Sequence, residues 1–214
     1  MPDNSIREII LVGGGGHALS LLESLPDNLT VVGYTALSPS DKMQCRWIGN
    51  ESLDPDIPRL PYPFHIAFIY GGVPNMDKRE RLIKKFEKEG ARFATIVSSK
   101  AIVTPNSVIG EGSAIMTGAI INHAKLGRHV VVNTGGIVEH ECEIGNNTFI
   151  GPGAVIGGGV RIGDNCFIGL GARIRNGINI ADGVSVGMGA IVTTDLTSPG
   201  IYYSTPLKFH PFHK

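Results

Sequence analysis

Stepping by six residues from Leu126, the chain places a branched aliphatic at every stop: Leu126, Val132, Val138, Ile144, Ile150, Ile156, Ile162, Ile168, Ile174, Ile180, Val186 and Val192. The next residue is often glycine, as at Gly127, Gly145, Gly151, Gly157, Gly163, Gly169 and Gly187. Four residues after each aliphatic the side chain is mostly small or β-branched, as at Val130, Cys142, Thr148, Ala154, Cys166 and Ala172. An α-helix repeats its apolar positions near 3.6 residues and a simple strand near 2, so a period of six fits neither alone. It fits short strands joined by tight turns, with one aliphatic pointing inward from each flat face and glycine permitting the turn. Three faces make a coil of about 18 residues, and coils stack about 4.8 Å apart as strands do in any sheet. Upstream the same step runs through Val97, Val103, Ile109, Ile115 and Ile121, and the join to Leu126 is one residue short.

Residues 1–97 have another texture. Ile6–Val12 reads as a buried strand, followed by Gly13-Gly14-Gly15-Gly16-His17 and a helix through Leu25. Thr30–Tyr34 is a second strand, Ser38–Pro63 a proline-rich loop, and Ile66–Tyr70 a third strand ending in Gly71-Gly72. Asn75–Glu89 has helical spacing, with Met76, Leu82, Ile83 and Phe86 on one side, and Arg92–Val97 closes with a strand. The order implies a Rossmann-like βαβ unit with a parallel sheet. The expected fold is therefore an α/β domain over 1–97, a parallel β-helix over 98–195 and a tail over 196–214.

Composition narrows the classes. Lys+Arg and Asp+Glu are equal at 19 each, which gives no electrostatic case for nucleic acid or an anionic membrane. The three cysteines, Cys45, Cys142 and Cys166, have no metal-type spacing and no even pairing, as expected of a reducing, cytoplasmic setting. Cys142 and Cys166 fall on inward repeat positions and read as core. The first residues form neither a signal peptide nor a membrane span.

Two segments carry candidate chemistry. Gly13-x-Gly15-x-x-Ala18 formally matches a dinucleotide fingerprint, where glycine lets backbone approach a phosphate. The acidic residue expected about 20 residues on is absent, since Tyr34-Thr35-Ala36 stands there. A turn needed only for backbone geometry is the other reading. The second segment is Asn133 to Glu143, containing Glu139-His140-Glu141-Cys142. Acyl transfer from a thioester to an amine needs a base for the amine's proton, and imidazole, with a pKa near 6.5, suits the task. An adjacent carboxylate can orient the ring and raise its basicity. A surface histidine among solvated glutamates is the plainer reading. His123 sits two residues after its aliphatic, as His140 does, one coil earlier. With His129 the three suggest a β-helix zinc site of the γ-type carbonic anhydrase kind, but His123 and His129 occupy different repeat positions, so no metal is expected.

The repeat resembles the left-handed β-helix of hexapeptide acyltransferases, in which trimers hold acyl-CoA between neighbouring subunits. With its N-terminal unit the whole chain looks like the PglD/NeuD-type sugar acyltransferases. That resemblance implies acetyl-CoA-dependent N-acetylation of a nucleotide-linked amino sugar, of the 4-amino-deoxy kind, by a homotrimer without metal. It implies His140 as general base, Glu141 as its neighbouring acid and Asn133 close by. It places the nucleotide sugar against Gly15, Gly16, His17, Thr35 and Gly71, with His123 flanking the sugar. It places coenzyme A along Phe149, Gly158, Leu170 and Met188, with the Gly158 N–H facing the thioester carbonyl. Members often carry acidic residues where Thr35 and Ala36 stand, a second histidine where Phe149 stands, and a Gly-Asn-Pro-Ala-Lys tail where this chain has Ser204-Thr205-Pro206-Leu207-Lys208. Sugar O-acetylation shares the base chemistry, and a non-catalytic nucleotide-binding scaffold is the remaining alternative.

Overall fold

The computed structural model describes residues 7–69 and 76–204. The N-terminal unit is a parallel four-stranded sheet built from β1 (Arg7–Val12), β2 (Leu29–Thr35), β3 (Trp47–Gly49) and β4 (Phe64–Ile66), in the order β3-β2-β1-β4. Central strand β1 is apolar and buried from Ile9 to Val12 because both faces of the sheet are covered there. Ile9 and Leu11 point to one side, against Ala18 and Leu21 of α1 (Gly16–Leu22). Ile10 and Val12 point to the other, against Ile83 and Phe86 of α2 (Asp77–Lys88).

Three expectations shift here: the third strand, expected from Ile66 onward, is Phe64–Ile66, and two further segments differ. The loop expected over 38–63 contains β3 and a 3-10 turn at Ile57–Arg59, both too short to leave a period. The strand expected over 92–97 is a single bridge from Phe93 to Phe64, followed by Ile96–Val97, which pairs with Ala114–Ile115 and so opens the repeat region.

From Ile96 onward the chain winds as a parallel β-helix with sheets of seven, six and five strands as its three faces. Most strands pair with the strand eighteen residues on, as Phe149 with Phe167 and Val155 with Arg173. The six-step aliphatics and the small residues between them fill the prism as one continuous core from Ile115 to Leu196. One coil is shorter: Val131 pairs with Ala114 and Ile137 with Ile120, seventeen residues apart. The missing residue falls at a corner, where Asn122-His123-Ala124 does in three residues what Glu139-His140-Glu141-Cys142 does in four.

The outward residues differ by face. On the seven-stranded face Ala114, Val131, Phe149 and Phe167 pack against the N-terminal unit. The six-stranded face presents Ile102, Ile120, Ile137, Val155, Arg173 and Ile191, nearly all aliphatic, with Ile102 and Ile191 60% and 69% exposed. The five-stranded face presents Val108, Lys125, Glu143, Arg161 and Asn179.

Candidate active site

The corner between the apolar and charged faces carries His123, His140 and Gly158 in successive coils. Backbone bonds lock them in register: the Glu141 N–H donates to the His123 carbonyl at 3.0 Å, and the Gly159 N–H to the His140 carbonyl at 2.8 Å. The His140 ring lies over Gly158. A β-carbon on Gly158 would sit 2.6 Å from both Cε1 and Nε2 of that ring. Glycine at 158 is thus a matter of space for the imidazole. Among the described residues the Gly158 N–H makes no hydrogen bond, whereas Gly157 and Gly159 donate to Ile174 and His140.

The other ring nitrogen, Nδ1, lies 3.8 Å from Glu141 Oε2, and both side chains are more than half exposed. Glu141 holds φ at 60°, a left-handed conformation that costs a residue with a β-carbon about 1 kcal/mol. The next coils have Gly159 and Gly177 at this corner position, with φ of 69° and 71°. A carboxylate held where glycine is conformationally favoured points to a use for the carboxylate. Behind them Asn122 Nδ2 donates to Glu139 Oε2 at 2.9 Å, which fixes the residue before His140. A cavity of about 600 Å³ adjoins this corner, lined by His123, Glu141, Lys125, Glu143 and Arg161 among others.

Other expected site residues lie elsewhere. Asn133 stands at the corner between the domain-covered and apolar faces, and its Oδ1 accepts from the Thr134 N–H and hydroxyl. Leu170 and Met188 occupy that same corner in later coils, 50% and 72% exposed. Six residues carry the chain across one face, so Asn133 and His140, seven apart, fall on neighbouring edges of the prism. Phe149, expected along coenzyme A, is buried between the two units, stacked on Phe167 and edge-on to His17, because its face is the one the N-terminal unit covers. His129 lies at the third corner, buried edge-on to Phe93. Among the described residues no group of three or more His, Cys, Asp or Glu could hold a metal.

In the N-terminal unit a cavity of about 570 Å³ opens at the glycine turn, lined by Gly13, Gly14, Ala36, Leu37, Glu51 and Phe68 among others. Gly13 and Gly14 are required by the fold, since a β-carbon there would strike the Ala67 carbonyl at 2.7 Å or the Tyr34 ring at 2.6 Å. Gly15 and Gly16 face open space. Thr35, expected against the nucleotide sugar, is fully buried, and its neighbour Ala36 lines the cavity. Gly71 and the tail from residue 205 lie outside the described residues.

His17 also departs from expectation. It turns toward the β-helix, and its Nε2 is buried without a partner among the described residues. Burial first, then His65 and Arg79, lowers its pKa to about 3. His129 is lowered to about 3, again by burial first, then by Arg79 and Arg128. Burial lowers His65 to about 4 against the opposing bond to the Ala94 carbonyl. At the centre is Arg79, a residue that nothing in the sequence marked. It is fully buried, donating to the His129 carbonyl at 2.8 Å and to Asn147 Oδ1, and so ties α2 to the β-helix. Burial lowers its pKa to about 9, which leaves it charged at neutral pH.

Comparison with known proteins bears on this site. Residues 141–176 match the bacterial transferase hexapeptide model (six repeats), and residues 159–194 match the hexapeptide repeat of succinyl-transferase. The repeat region is therefore similar to those of hexapeptide transferases. Among solved structures, PerB from Caulobacter crescentus, in complex with CoA and GDP-perosamine, is 28% identical with a TM-score of 0.84, covering 97% of this chain and 99% of that one. A mutant of perosamine N-acetyltransferase from the same organism, likewise with CoA and GDP-perosamine, has the same identity, coverage and TM-score. The acetyltransferase domain of PglB from Neisseria gonorrhoeae FA1090 is 25% identical with a TM-score of 0.81, covering 94% and 98%. The hexapeptide β-helix is accordingly of the left-handed type.

Proposed function

We propose that this hexapeptide-repeat chain transfers an acetyl group from acetyl-CoA to the amino group of a nucleotide-linked sugar. The observation that carries the reading is His140 Nε2 poised over a side-chain-free Gly158 whose N–H is unoccupied among the described residues. The sugar amine attacks the thioester carbonyl carbon while Nε2 takes the amine proton. The Gly158 N–H donates to the oxyanion of the tetrahedral intermediate. The intermediate collapses, the C–S bond breaks, and the coenzyme A thiolate leaves with the proton returned from His140. Glu141, on the Nδ1 side, orients the ring and stabilises the imidazolium. Solved structures similar over nearly the whole chain hold CoA and GDP-perosamine, which supports these two substrate classes.

The working unit in this reading is a homotrimer. His140 and Gly158 lie on one edge of the apolar face, and Asn133, Leu170 and Met188 on its other edge. Covering that face with two further copies removes Ile102 and Ile191 from water and brings the first edge of one copy to the second edge of the next. Coenzyme A then runs between copies, along Leu170 and Met188. The N-terminal unit is read as a Rossmann-like nucleotide-sugar domain, its boundary with the β-helix falling just before the expected 97/98, since Ile96–Val97 already pair within the β-helix. The three cysteines are free, and burial raises the thiols of Cys142 and Cys166, which fits inert core residues of a cytoplasmic protein. Among the described residues no helix is long and apolar enough to cross a membrane.

Steady-state kinetics with acetyl-CoA and a panel of nucleotide amino and hydroxy sugars tests the reading. His140→Ala is expected to lose about 10²–10⁴ in kcat. Full activity in that variant, or a ping-pong pattern, overturns the direct mechanism, and turnover of hydroxy sugars alone overturns N-transfer.

A further inference from the structure

Among the polar groups at the glycine-turn cavity is a carboxylate, which a phosphate does not explain. Glu51 lines the cavity, and its Oε2 is shut off from solvent with no hydrogen-bond partner among the described residues. The carboxylate is not there by accident of a loose loop. Asn50 Oδ1 accepts from the Ser52 N–H at 2.9 Å, the Asn50 carbonyl accepts from Leu53 and Asp54, and Lys85 on α2 donates to the Glu51 carbonyl. The turn carrying Glu51 is therefore held from both sides. The cavity's other walls include Val12, Ala36, Leu37, Phe68 and Leu82, apolar surfaces suited to the flat face of a base, with Ser52 and Lys78 as further polar groups.

Sheet order says which part of a nucleotide reaches Glu51. In a parallel sheet, ligands lie across the carboxyl ends of the strands. The glycine turn follows β1, β2 is its neighbour, and β3 lies one strand farther. The Ala36 N–H donates to the Gly49 carbonyl at 3.0 Å, which joins the ends of β2 and β3. Glu51 comes just after Gly49, two strands out from the turn, on the order of 10 Å away at about 4.8 Å per strand. A nucleoside diphosphate with its phosphates at the turn spreads its ribose over β2 and its base over β3.

We propose that Glu51 reads the base of the nucleotide sugar, and that the base is guanine. The inference rests on the nucleotide-sugar reading above and extends it to one nucleotide. An ionised carboxylate only accepts hydrogen bonds. Guanine presents two donors side by side, N1–H and the 2-amino group, which match its two oxygens. Uracil and thymine present one N–H flanked by two carbonyl oxygens that repel a carboxylate. Adenine and cytosine place a ring acceptor beside their amino group.

Titration calorimetry on the full chain with GDP, IDP, 2′-deoxy-GDP and UDP tests this. IDP lacks only the 2-amino group, so GDP is expected to bind about tenfold or more tightly than IDP, because a buried acceptor is left unpaired. UDP is expected to bind more weakly still, and 2′-deoxy-GDP nearly as well as GDP. Glu51→Gln, with its fold checked by circular dichroism, is expected to bring GDP down toward the IDP value; an unchanged GDP preference in that variant overturns the proposal. Equal binding of GDP and IDP by the wild-type chain also overturns it, without reliance on any variant. A loss confined to 2′-deoxy-GDP puts Glu51 on the ribose and overturns it too. Tighter binding of UDP than GDP sinks guanine and leaves the nucleotide-sugar reading standing, whereas no binding of any nucleoside diphosphate sinks both.

Discussion

The apolar and charged faces of the β-helix share one backbone, one coil length and one core, and differ only in what points outward. Ile102, Ile120, Ile137, Val155, Arg173 and Ile191 stand on one, and Val108, Lys125, Glu143, Arg161 and Asn179 on the other. Inward positions of a repeat specify that it folds, and outward positions specify what each face meets. A row of aliphatics broken only by Arg173, and exposed at Ile102 and Ile191, is the kind of patch that marks an association surface. The charged face, with Lys125–Glu143 at 3.6 Å and Arg161–Glu143 at 3.4 Å, is already suited to water. The candidate catalytic residues lie on the edge where these two faces meet.

The contrast can be broken most severely on the apolar face. Ile137→Lys puts a charge in the middle of that row. It is expected to leave a folded monomer by light scattering and to lower activity by two orders of magnitude or more, because the site needs both edges. A trimeric and active variant would remove the apolar face from the mechanism. At the edge itself, Gly158→Ala forces the His140 ring aside by its 2.6 Å clash, and about a 10- to 100-fold fall in kcat is expected with the fold intact. An unaffected kcat would show that the ring can move freely.

A smaller effect comes from the seam between the two units, through three histidines buried there. His17 and His129 have folded pKa values near 3 and His65 near 4, all below the usual 6.5, so the unfolded chain binds more protons in between. Their contribution is fully present above about pH 6.5 and is lost as pH falls toward their folded values. Thermal unfolding at pH 5 is expected well below that at pH 7, at roughly 2 kcal/mol per histidine. A melting temperature flat from pH 7 to 5 would contradict this burial. Least sensitive is the charged face: Glu143→Ala removes exposed ion pairs and is expected to shift the melting temperature by less than about 2 °C.

The β-helix was legible because its period is carried by residues that cannot be elsewhere; twelve inward aliphatics leave little choice of fold. The His140–Gly158 stacking was legible for the same reason, since the two differ by one coil, and Gly158 follows from His140 by counting. The row of outward isoleucines sits one residue before the inward ones and is open to the same counting, but the period alone does not say which outward row another unit leaves uncovered. Phe149 shows where such counting stops: the period says that its side chain points outward but not that another unit covers that face. Arg79 could not have been found, because a buried guanidinium on a charged helix looks like any surface arginine until the carbonyl of His129 is seen beside it. Short β3 and the cavity carboxylate Glu51 lay in a proline-rich stretch with no period to read.

The three-residue corner at Asn122-His123-Ala124 has a consequence for how such a chain tolerates change in length. A residue lost from a strand would exchange inside for outside in every coil that follows, and the core would fail as a whole. Lost from a corner, it leaves Leu126 facing inward as Ile121 does, and the later coils inherit no error. Corners are therefore the places where this architecture can gain or lose residues while the rest keeps its meaning, and a histidine at such a place can be re-aimed without a new fold.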